Sequence, residues 1–225
     1  MMKKRKFFFL AKEAYELDKK ILTDQKGGLI NSPGAYLFAC TGREYRLKAG
    51  IRAEADFGLR QIEYESKDGK ACPNCTPAAL INALGYYRHS WPQIPDDPHA
   101  CYQLLRKHLR LFRSPLPGIG GYPAPLNATL TRRLWRLLGI DAWPAVYPFP
   151  GARRLRMLSS EGIPLILSIW TKAYRAHTVL LLGWELWSDG QTSRLFWVIR
   201  DGWRHEPRYL DAEEKGILQA VLMAG

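Results

Sequence analysis

What most limits the fold of this chain is an order: in its middle and end, the strongly helical stretches come before the strongly β-forming ones. Thr76-Pro77-Ala78-Ala79-Leu80-Ile81-Asn82-Ala83-Leu84-Gly85-Tyr86-Tyr87 reads as a helix beginning just after Cys75. Proline in its first turn removes only an amide hydrogen that would have had no helical partner. A second helix is expected over Ala100 to Phe112 and a third over Leu126 to Leu138, where Asn127-Ala128-Thr129 offers capping side chains. A short helix follows Gly151 and closes at Glu161-Gly162. From there the chain changes character. Ile163 to Ile169, His177 to Trp184 and Leu195 to Ile199 are apolar, β-rich runs separated by turns. Helices first and strands later predict an α+β fold, not alternating β/α units.

The N-terminal part is organised differently. Residues 1–24 place Phe8, Ala11, Tyr15 and Leu22 at helical spacing among charged residues and stop before Lys26-Gly27-Gly28. We therefore divide the chain into a basic amphipathic helical segment, 1–28, and a single domain, 29–225. Residues 29–70 hold short candidate strands at Ala35 to Cys40, Tyr45 to Leu47 and Gln61 to Tyr64, with no functional motif. The opening Met1-Met2-Lys3-Lys4-Arg5-Lys6 imitates a signal peptide, but Lys12 and Glu13 cut the apolar run that follows well short of the roughly 7–15 residues a signal uses. No run reaches the roughly 20 apolar residues of a membrane span. Four cysteines, at 40, 72, 75 and 101, are too few and too unevenly spaced for a disulfide framework. A reducing, cytoplasmic setting is expected. The 33 Lys and Arg against 21 Asp and Glu leave a net charge of +12, which favours anionic partners; without a nucleic-acid-binding motif, nucleic acid is not the expected one.

Cys75 stands at the start of a helix, where unpaired amide hydrogens and the helix dipole favour a thiolate. Taken alone, it reads more simply as a buried, inert cysteine. A cysteine hydrolase also needs an imidazole to take the thiol proton and a third group to hold that imidazole. His177 leads into the apolar strand ending at Gly183-Trp184, and Asp201 ends the following one. If these two strands form a hairpin, His177 and Asp201 come together at one edge of the sheet. His205, four residues after Asp201, is a rival base, though it precedes Glu206-Pro207 in an expected loop. Cys72-Pro73-Asn74-Cys75 has the spacing of a redox pair or half a zinc site, but no second ligand pair of familiar spacing accompanies it. Neither a metal nor another cofactor is expected.

These segments together resemble the papain-like cysteine peptidases, and among them the bacteriocin-processing peptidases that cut double-glycine leaders. The resemblance covers roughly residues 70–205. It is carried by Asn74-Cys75-Thr76-Pro77-Ala78-Ala79-Leu80, Leu84-Gly85-Tyr86-Tyr87, Gly162-Ile163-Pro164, Ala176-His177-Thr178-Val179 and Ile199-Arg200-Asp201-Gly202-Trp203, in the family's order. It implies a helical half, with the cysteine at a helix N-terminus, packed on an antiparallel sheet that carries the histidine and aspartate. It also implies catalysis by Cys75, His177 and Asp201 through an acyl-thioester on a peptide or small amide. An amidase or acyltransferase on the same fold, or an inactive binding module with a basic face, are the alternatives. The family's oxyanion-hole glutamine has no counterpart in residues 68–74; Asn74, Lys70 and the more distant Gln61 are the candidates for that place. Gly27-Gly28 would be a site of self-processing, except that Gln25 is polar where such leaders are apolar.

Overall fold

The computed structural model describes residues 30–55, 57, 58, 60, 75–109, 124–171 and 174–224. Helix α1 (Pro33–Thr41) and strand β1 (Arg46–Arg52) come first, followed by α2 (Cys75–Tyr87), α3 (Pro98–Leu109) and α4 (Ala124–Leu137). Strand β2 (Ala145–Pro148) and α5 (Ala152–Ser159) lead into β3 (Leu165–Thr171), β4 (Arg175–Ser188), β5 (Ser193–Arg200), β6 (Arg208–Asp211) and β7 (Ile217–Leu222). The class is α+β: helices packed on one seven-stranded sheet whose pairings are antiparallel, in the order β2-β7-β3-β4-β5-β6 with β1 also on β4.

Alternation along the strands sends side chains to two different cores. Ile166, Leu180, Leu182, Val198 and Val221 face α2, α3 and α4, meeting Leu80, Leu84, Leu105 and Trp135. Leu165, Leu167, Val179, Leu181, Trp197 and Ile199 line the opposite face, which α5 covers through Leu155. The sheet is apolar on both sides, so its central strands read as nearly continuous hydrophobic runs. Helix α2 is buried along nearly its whole length. Its alanines let its axis lie close to the sheet.

Strand β4 organises the sheet because it is long enough to hold two partners on one edge. Its first half pairs with β3, from Leu165 opposite Leu181 to Thr171 opposite Arg175. Its second half pairs with β1, from Arg46 opposite Ser188 to Arg52 opposite Gly183. At the junction, a Cβ on Gly183 would fall 1.9 Å from the Ile51 carbonyl oxygen, so only glycine fits there. The opposite edge takes β5, with Leu180 beside Arg200.

One expectation is corrected. Ala35 to Cys40 is not a strand but lies within α1, which Pro33 opens and Gly42 closes with a left-handed φ of 70°. Leu37 and Ala39 are buried, and Tyr36 meets Phe196 edge-on. The expected N-terminal helix of 1–28, the strand over Gln61 to Tyr64, Cys72, and the candidates Asn74, Lys70 and Gln61 lie outside the described residues.

Candidate functional site

Cys75 is the first residue of α2, and His177 lies two residues into β4, opposite Ile169 of β3. The packing of α2 on β4 brings their side chains close enough for each to act on the other's proton affinity. Both are buried, with 2% of Cys75 and 8% of His177 exposed. The Thr76 and Thr178 hydroxyls, each following one of the pair in sequence, bond to one another at 2.9 Å and pin the helix start to the strand.

The second contact of His177 fixes its chemistry. Its Nε2 lies 2.8 Å from the backbone carbonyl oxygen of Asp201. A carbonyl only accepts, so Nε2 carries the hydrogen, and in the neutral ring the lone pair is on Nδ1, the nitrogen left to face the sulfur. Asp201 therefore reaches the histidine through its peptide group. Its carboxylate, which is buried, is engaged elsewhere: Oδ2 accepts from Arg208 Nη1 at 2.8 Å and from the Tyr174 hydroxyl at 3.1 Å, and Oδ1 accepts from the Trp203 amide at 2.9 Å. The last bond closes a tight turn through Gly202, whose φ of 75° is in the region glycine adopts freely.

That turn folds Trp203 back over the imidazole. The Trp203 ring lies 4.8 Å from the His177 ring, and Tyr174 stacks on His177 at 5.3 Å with the planes 10° apart. Tyr174 and Trp203 also stack on each other at 5.0 Å. The histidine is thus held by hydrogen bonds in its plane and by aromatic faces around it.

The surroundings shift the two groups in opposite directions. Burial pushes the Cys75 thiol up, but the hydrogen bond from His177, the charge on that ring, and hydrogen bonds from the Thr178 backbone and hydroxyl outweigh it, and the thiol ends below its ordinary value. Burial pushes His177 down, while its bond to Cys75, the thiolate charge, and the carbonyl and charge of Asp201 carry it above the ordinary imidazole value. Burial and the neighbouring Asp201 carboxylate push the Tyr174 phenol up, so its hydroxyl remains a donor. Both directions favour the charged form of each group, which is what a thiol nucleophile with a neighbouring base requires.

The other sequence candidates sit elsewhere. His205 is exposed, and its Nδ1 donates to the Gly58 carbonyl at 2.7 Å. His89 is exposed beyond the end of α2, and His99, on α3, meets Gln103. Cys40, Cys75 and Cys101 carry free thiols; Cys101 lies against the Pro95 carbonyl, and burial pushes it up to about 12. Among the described residues, no group of three or more His, Cys, Asp or Glu could hold a metal ion, and no helix is long and apolar enough to cross a membrane. Sequence reasoning missed Tyr174, Trp203 and Arg208. Asp201-Gly202 is a turn signature that could have indicated Trp203; nothing in the sequence marks Arg208.

Compared with known proteins, the chain matches no family model, and no curated protein is significantly similar to it.

Proposed function

We propose that this protein is a papain-like cysteine hydrolase in which Cys75 is the nucleophile, His177 the base and acid, and Asp201 the residue that orients the histidine. The observation that carries the reading is the buried Cys75–His177 pair with His177 Nε2 committed to the Asp201 carbonyl. That commitment leaves Nδ1 to receive the thiol proton. The thiolate attacks the carbonyl carbon of a peptide or small amide, and the imidazolium returns its proton to the departing amine, leaving an acyl-thioester. Water then gives a proton to His177 and its hydroxide to the acyl carbon. The carbon–sulfur bond breaks, and the Cys75 thiolate is left beside the protonated His177 for the next turnover. An amine in place of water would make the same site an acyltransferase. For the oxyanion, the start of α2 offers the Cys75 amide, and Asn74, Lys70 and Gln61 remain the candidates for a second donor. The net charge of +12 supports an acidic substrate or partner.

The test is the rate at which iodoacetamide alkylates Cys75 across pH, followed by mass spectrometry in the wild type and in His177→Ala. We expect the wild-type inflection well below the roughly 8.5 of a free thiol, and its return toward that value in His177→Ala. Should both proteins react as ordinary or inert thiols, the hydrolase reading fails, and a non-catalytic binding module of the same fold takes its place.

A further inference from the structure

Asp201, which holds His177 by its carbonyl, turns its carboxylate to Arg208, Tyr174 and Trp203. Arg208, the first residue of β6, sits beside Ile199 in the β5–β6 ladder. Its guanidinium meets Asp201 Oδ2 at 2.8 Å, and the two side chains are 2% and 0% exposed. A buried ion pair of this kind is hard to break, because removing one partner leaves the other charge unbalanced in a low-dielectric interior. Here the pair includes the residue whose carbonyl holds His177 Nε2. Its carboxylate also takes the Tyr174 hydroxyl and the Trp203 amide, the residues whose rings stack on His177.

Building on the hydrolase reading, we infer that Arg208 is a positioning residue for the Cys75–His177 pair: it anchors Asp201 so that its carbonyl stays on His177 Nε2, and it balances the carboxylate charge behind the ring. The ionisable groups facing His177 are Cys75 from α2, Tyr174 from the β3–β4 connection and Asp201 after β5, with Arg208 from β6 behind the carboxylate. The neighbouring Arg200 is turned to the Ala55 and His205 carbonyls, with Arg52 and Glu206 near it. A purely architectural ion pair would affect stability and leave the proton equilibrium of the cysteine and histidine alone. A charge-balancing pair moves that equilibrium, and its two halves move it in opposite directions.

The experiment is the acid inflection of the Cys75 alkylation profile, with iodoacetamide as probe, in Asp201→Asn, Arg208→Met, the double variant and Arg208→Lys, with thermal unfolding recorded for each. Asp201→Asn leaves an unbalanced guanidinium, which favours the thiolate, so the inflection should move down by about one pH unit. Arg208→Met leaves an unbalanced carboxylate and should move it up by a similar amount. The double variant and Arg208→Lys should each restore the wild-type position. If Arg208→Met does not fold, the downward shift in Asp201→Asn and its reversal in the double variant decide the matter. Inflections that stay put, or that move the same way in both single variants, overturn the inference while the hydrolase reading stands. A wild-type inflection at the ordinary thiol value overturns both.

Discussion

Tyr174 and Trp203 give His177 one orientation, and they do so by two separable means. The two rings pack against the imidazole and against each other, and each residue also donates a hydrogen to the Asp201 carboxylate. Tyr174→Phe separates the two effects, because the ring remains and only the hydroxyl is lost. Asp201 Oδ2 keeps Arg208, so the loss should be close to that of one hydrogen bond, about 1 kcal/mol in urea unfolding, with the Cys75 alkylation profile unmoved. A profile that shifts with the hydroxyl would show that the phenol, and not the ring face, sets the histidine's proton affinity. At this scale the sequence made Cys75, His177 and Asp201 legible, because each carries reactive chemistry at the end or start of a recognisable run. Arg208 was illegible for a physical reason. An arginine in a charged stretch is exposed by default, and its burial follows only from where Asp201 comes to rest.

Among the elements, β4 decides whether the site exists, since it carries His177 at one end and anchors β1 at the other. The crowding of Gly183 against Ile51 is where these duties meet. Gly183→Ala would push β1 off the β4 edge, and we expect a loss of at least about 2 kcal/mol in urea unfolding. Lost packing beneath α2 gives an independent measure of how firmly the nucleophile is seated. Leu84 is fully buried between α2 and the sheet, so Leu84→Ala should cost about 2–5 kcal/mol by the same assay. A much smaller loss would mean that α2 is not held against β4 as described. The long elements were legible as runs, because helices of 13 and 14 residues and a strand of 14 give long stretches of helix-forming or apolar β-forming residues. Strands β2 and β6, of four residues each, offer no repeat. Helix α1 was misread as a strand because its aromatic and apolar run outweighed the proline at its start, which is the better signal.

For the whole molecule, the order of helices and strands predicted the α+β class, and the sheet with apolar cores on both faces explains why the strand runs showed so little alternation. The buried Cys75–His177 pair ties global stability to pH in a way that can be worked out by counting protons. His177 is raised, so its contribution is complete below the unfolded value near 6.5 and is lost as pH rises through the folded value. Cys75 is lowered, so its contribution is complete above the unfolded value near 8.5 and is lost as pH falls through the folded value. Between its folded and unfolded values Cys75 has lost in the folded state a proton that the unfolded chain still holds, so this group makes stability rise with pH; between its unfolded and folded values His177 keeps in the folded state a proton that the unfolded chain has lost, so this group makes it fall. The difference in urea midpoint between the wild type and the Cys75→Ala/His177→Ala variant should therefore vary with pH. A flat difference would mean that the two groups titrate as they do in the unfolded chain, and the site would lose its electrostatic basis. Proton counting cannot tell a thiolate beside an imidazolium from a neutral thiol beside a neutral ring, since one proton remains in either case. The alkylation profile makes that distinction, so the pH dependence establishes the coupled pair and the low inflection establishes the nucleophile.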